Sequence, residues 1–107
     1  MIELLKKLCE LDGTSGDENA VRDFIISEIK GHCEYTVDAL GNILVHKQGK
    51  NRSERRLLVD AHTDEVGLII TDITEDGFLK FKTVGGIETA VLLARRVRIN
   101  GKINGVI

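Results

Sequence analysis

The sequence predicts an α/β chain in two parts, with helices and strands up to Glu65 and short antiparallel strands after it. Three observations carry this expectation. Apolar residues recur at helical spacing as far as Ile29. From Tyr35 the apolar positions alternate or cluster in short runs, as in strands. Beyond Glu65 all the main apolar runs are short and most are bounded by Gly, Asn or Asp. A domain boundary is therefore expected at this point, dividing the chain into 1–65 and 66–107.

The first helix is marked by Ile2, Leu5 and Cys9, with Leu4, Leu8 and Leu11 on the flank of the same face. Asp12-Gly13 ends it. Ser15 followed by Glu18 reads as a capping box, in which the Ser oxygen takes one free helix N–H and the Glu returns to another. The second helix carries Val21, Phe24, Ile25 and Ile29, and Gly31 is its stop. Tyr35 and Val37 form a half-buried strand, Leu40-Gly41-Asn42 a turn, and Ile43-Leu44-Val45 the returning strand. Residues 48–54 are polar and read as a loop. Leu57-Leu58-Val59 is a short apolar run of the kind expected in a strand covered on both faces.

Past Glu65 the expected elements are a strand over 66–70, a turn at Thr74-Glu75-Asp76-Gly77, and a strand marked by Phe78, Phe81 and Val84. After Gly85-Gly86 comes a short helical stretch near Ala90 to Ala94. A hairpin then joins 96–99 to 103–107 through Asn100-Gly101, a pair that favours a tight type I′ turn.

Composition narrows the function. Charged residues make up 30% and hydrophobic ones 42%, the balance of a folded chain rather than a disordered one. The formal net charge of −2 gives no reason to expect a nucleic-acid partner. The one basic cluster, Lys47, Lys50, Arg52, Arg55 and Arg56, is interrupted by Glu54 and reads as a solvated loop. No apolar run approaches the ~20 residues of a membrane span, and Lys6, Lys7 and Glu10 interrupt what would be a signal peptide. Cys9 and Cys33 have no CxxC spacing, which points to buried free thiols and a cytoplasmic setting. There is no proline, so Gly, Asn and Asp must make the turns. The apolar ending Gly105-Val106-Ile107 looks like a cut edge.

The residues with chemical potential are His62 and Asp64, in Ala61-His62-Thr63-Asp64-Glu65-Val66-Gly67. Two positions apart on an extended backbone, their side chains lie on the same side. A carboxylate so placed orients an imidazole and raises its basicity, which suits a metal ligand. The same spacing also suits a hydrogen-bonded structural pair. His32, after a helix end, and His46, on a strand, read as structural.

Several short segments resemble one family. LVDAHTDEVGLII, over 58–70, is similar to the first metal motif of the glutamyl aminopeptidase / tetrahedral aminopeptidase family, usually AHxDEVG; its members also carry the names cellulase M and deblocking aminopeptidase. Ser15-Gly16-Asp17-Glu18-Asn19-Ala20-Val21-Arg22 resembles the family's SGxExxVR, and Leu40-Gly41-Asn42 its LGN turn. Val84-Gly85-Gly86, Val91-Leu92 and Arg96-Val97 resemble its GG…VL…RV segment, and Asn104-Gly105-Val106-Ile107 resembles its GVIG strand. These matches run in order from 15 to 107.

The resemblance implies a fold, a site and a reaction. Residues 1–65 would begin a metallopeptidase-type α/β domain. Residues 66–107 would begin an inserted antiparallel β-barrel-like domain used for dimer contacts. His62 would be a metal ligand and Asp64 the carboxylate that holds it, while Glu65 would have no chemical role. Two divalent metals, zinc or cobalt, would activate a bridging water, polarise the peptide carbonyl and help hold the substrate's free amino end. The partners implied are peptide substrates and copies of the same chain, in dimer-based tetrahedral assemblies. Two departures stand out. Thr63 replaces the usual Met, and Gly85-Gly86-Ile87-Glu88 replaces GGWD. The family's remaining ligands and its general base come later in its members, and Asp12, Asp17, Asp38, Asp60, Asp72 and Asp76 match none of them. The chain is therefore expected to be an inactive amino-terminal fragment that binds no metal on its own. The alternatives are a fragment of a related di-metal deacylase or carboxypeptidase, or a non-catalytic binding or assembly module.

Overall fold

The computed structural model describes residues 1–51 and 54–107. Helix α1 spans Ile2–Glu10 and helix α2 spans Asn19–Ile29. Six strands follow in three separate two-stranded antiparallel sheets. Strand β1 (Glu34–Val37) pairs with β2 (Ile43–His46), β3 (Gly67–Ile73) with β4 (Leu79–Val84), and β5 (Arg96–Ile99) with β6 (Ile103–Val106). After Val66 the only helical element among the described residues is a 3₁₀ turn at Thr89–Val91. Among the described residues no helix is long and apolar enough to cross a membrane.

The turns follow their local chemistry. Between β1 and β2 the Asp38 carboxylate accepts the N–H groups of Leu40 and Asn42 and the side-chain amide of Asn42. This Asx-type arrangement closes the loop without proline. Between β3 and β4 the Thr74 hydroxyl accepts the Phe78 N–H, and the two residues also exchange a backbone bond. A one-residue bulge lies between Ile70 and Asp72. Asn100 and Gly101 both have positive φ, 48° and 67°, and Lys102 N–H donates to Ile99 O, as a type I′ turn requires.

Three expectations are corrected. Ser15 does not cap α2. The residue before the helix is Glu18, which makes no side-chain cap bond, and Gly16 between them sits at φ 93°, outside the helical region. Glu18 Oε1 instead accepts the Gly16 N–H. Residues 57–59 join none of the three sheets and are 80–90% exposed, because a strand exists only through a partner's hydrogen bonds and no described segment supplies one. Cys9 is exposed and Cys33 half-buried rather than buried, since the apolar face of α1 meets too little of the chain to bury any of its residues. In the basic loop Lys47, Lys50, Arg55 and Arg56 are exposed, whereas Arg52 lies outside the described residues, as does Ser53 of the loop expected over 48–54.

Burial is slight because the chain is extended, 64 Å along its longest axis and about 25 Å across. Val21 of α2, 7% exposed, is the one buried apolar side chain among the described residues. Gly13 lies against it, so closely that a methyl group there would come within 2.8 Å of Val21 Cγ2. The segment after α1 is thus drawn onto the α2 face, and this is the segment that meets the residues around His62.

Candidate metal-ligand site

The site is built on a short backbone ladder between two distant stretches. Thr14 and Glu65 form an isolated parallel bridge. Glu65 N–H donates to Gly13 O at 2.7 Å, and Ser15 N–H donates to Glu65 O at 3.3 Å. The Gly13 N–H also reaches Glu65 Oε1 at 3.4 Å, so the Glu65 side chain adds to the ladder. Gly67 permits this approach, because a Cβ there would lie 2.5 Å from the Thr14 side chain.

His62 and Asp64 precede the ladder by one to three residues. Nδ1 of His62 lies 3.0 Å from Asp64 Oδ1 and 2.9 Å from the Asp64 carbonyl oxygen. Both partners are acceptors, so Nδ1 carries the proton and Nε2 of the neutral ring keeps its lone pair. The imidazole is 85% exposed and the Asp64 side chain 42%. Ser15 completes the arrangement by donating its hydroxyl to Asp64 Oδ2 at 2.5 Å. This Ser15 bond is the main reason the Asp64 carboxyl titrates below the ordinary aspartate range. Burial opposes the shift, and its own backbone N–H and His62 add to it.

The sequence-predicted pair is therefore in contact, and the ring nitrogen turned away from it is a free donor. Among the described residues no group of three or more His, Cys, Asp or Glu side chains is placed to hold a metal. An open groove of roughly 1150 Å³ runs from the start of α2 across the β1–β2 hairpin to residues 58–64, and His62, Asp64, Arg22 and His46 line it. Ser15 is the residue that the motif reading assigned elsewhere. The available signal was Gly16, a poor choice for the first helical position after a cap.

The chain is similar to known proteins of one family. Residues 41–107, more than half of the chain, match the family described as M42 glutamyl aminopeptidase. The chain is 36% identical to the lysyl aminopeptidase of Pyrococcus furiosus over 90% of its own length and 28% of that protein. Among solved structures it is similar to the TET1 peptidase of Pyrococcus horikoshii, which assembles into a tetrahedron or a large octahedral shell. The TM-score is 0.78 and the identity 46%, over 89% of this chain and 28% of that one. A structure named endoglucanase from Thermotoga maritima gives a TM-score of 0.86 at 42% identity, over 95% of this chain and 32% of that one. The chain thus spans less than a third of the length of these relatives.

Proposed function

This chain belongs to the M42 glutamyl aminopeptidase family, and from that premise we propose that it forms the amino-terminal part of a metal-dependent aminopeptidase with His62 as a metal ligand. The observation that carries the reading is the division of labour on the imidazole. Nδ1 is committed to Asp64, and Nε2 is left free on an exposed ring beside an open groove. Asp64 acts through His62, fixing its tautomer and orientation. A divalent metal held there, zinc or cobalt, would polarise a peptide carbonyl and lower the pKa of a bound water. The further ligands and the general base would come from chain beyond this sequence, which fits the share of the relatives that it spans.

In this reading residues 1–65 belong to the catalytic domain and 66–107 to an inserted β-domain, and the substrates are peptides with a free amino end. The TET1 neighbour, which assembles into a tetrahedron or a large octahedral shell, supports a homo-oligomer, and in this reading it is built on dimers. Cys9 and Cys33, unlinked, fit a reducing cytoplasm.

The test is hydrolysis of aminoacyl-4-nitroanilides by this chain alone and by a family-length protein that begins with it. Turnover is expected only from the longer protein, lost on chelation, restored by zinc or cobalt, and abolished in His62→Ala. Chelator-sensitive turnover by the 107-residue chain, or full activity in His62→Ala, would contradict the reading.

A further inference from the structure

We propose that Ser15 is a positioning residue for His62, acting through Asp64: it holds one carboxylate oxygen so that the other faces the imidazole. This rests on the reading of His62 as a metal ligand and extends it to a residue 49 positions from Asp64.

The geometry is a chain of three side chains. Ser15 Oγ donates to Asp64 Oδ2 at 2.5 Å, and Asp64 Oδ1 accepts from His62 Nδ1 at 3.0 Å. The last torsion of an aspartate is broad, so a carboxylate with one partner swings freely. A partner on each oxygen removes that freedom, because turning Oδ1 away from the ring would break the Ser15 bond. Ser15 is itself held in place. Its N–H bonds the carbonyl of Glu65, the residue next to Asp64, and Gly13 takes the Glu65 N–H. The hydroxyl is thus carried to the carboxylate by backbone registered against the same segment. It has no competing role in α2, whose N-terminal flank is Glu18. The consequence falls on Nε2, since fixing the proton on Nδ1 keeps the other nitrogen as the donor facing outward.

The test is the His62 tautomer in the metal-free chain, read from long-range ¹H–¹⁵N correlations with ¹⁵N-histidine at a pH where the ring is neutral. The native chain should show the Nδ1–H form. Ser15→Ala should lower the ratio of Nδ1–H to Nε2–H by roughly threefold, the weight of a modest hydrogen bond. Ser15→Thr should restore it, and His32 and His46 should not change. The amide signals of Gly13 and Glu65 report the ladder. If Ser15→Ala disturbs them, Ser15→Cys, a weak donor of similar size, is compared with Ser15→Thr instead. An unchanged ratio in Ser15→Ala with the ladder intact, or equal ratios in the Cys and Thr variants, would overturn the proposal. Zinc added to the ¹⁵N-histidine-labelled family-length protein, native and Ser15→Ala, separates the two readings. If zinc fails to engage His62 while Ser15→Ala still shifts the tautomer, the ligand role falls and the positioning role stands.

Discussion

Asp12, just past α1, is ion-paired with Arg98 on β5, 86 positions along the chain. Asp12 Oδ2 also lies against Gly101 in the β5–β6 turn. The Asp12 hydrogen bond and then its charge push the Arg98 guanidinium above its ordinary range, burial opposes this, and Glu65 adds a smaller attraction. Both side chains are about half exposed, so salt screens the pair. Arg98→Ala should leave overall stability nearly unchanged but shift the amide signals of Asp12 and Gly101. High salt should shift the native signals the same way. Unmoved signals would show that the contact does not form in solution.

Asp38 gives a pH dependence. Its carboxyl is held below the ordinary aspartate range, first by the Asn42 side-chain amide and then by backbone N–H groups. The folded turn therefore favours the charged form. Its contribution is complete above the unfolded value and is lost as pH falls through the folded one. The amide signals of Leu40 and Asn42 should titrate together with a midpoint below that of a free aspartate. Asp38→Ala should abolish the titration. A midpoint at or above the free value would contradict the assignment.

Gly67 should not tolerate a side chain. A methyl group there would overlap the Thr14 side chain at 2.5 Å, and overpacking of this kind costs about 1–3 kcal/mol. Gly67→Ala should weaken the ladder between 13–15 and Glu65, read as faster amide exchange at Ser15 and Glu65. Thr14→Gly in the same chain should relieve the clash and recover part of the protection. Equal exchange in the native chain and Gly67→Ala would show that the close approach is absent.

Local chemistry was legible in the sequence, and long-range pairing was not. Asp38, Thr74 and Asn100-Gly101 make their turns with neighbours a few residues away, so their elements could be placed in advance. The His62–Asp64 contact spans two residues, and the spacing alone put both side chains on one side. Ser15 was misread because its partner lies 49 positions away; Gly16 argued locally against a cap, but nothing local named Asp64 as the partner. Leu57 to Val59 has strand composition without strand structure, because pairing belongs to the partner as much as to the strand. Cys9 and the α1 stripe show the same limit. An apolar face states what it can bury, not what comes to cover it.

The exposed run Leu57-Leu58-Val59 should drive association of the chain. Three adjacent apolar side chains, each 80–90% exposed, with backbone outside any sheet, invite pairing with another copy. Light scattering should show species larger than a monomer, and Leu58→Lys should reduce them. A monodisperse monomer with this run still exposed would contradict the expectation.

The ligand role of His62 is tested most directly by zinc titration of a ¹⁵N-histidine-labelled family-length protein that begins with this chain, since the further ligands are expected beyond it. The account predicts that zinc shifts Nε2 of His62 while Nδ1 keeps its proton and its bond to Asp64. The response should come before any at His32 or His46 and should weaken in Asp64→Asn. Zinc at Nδ1, or equal responses from these three histidines, would contradict it.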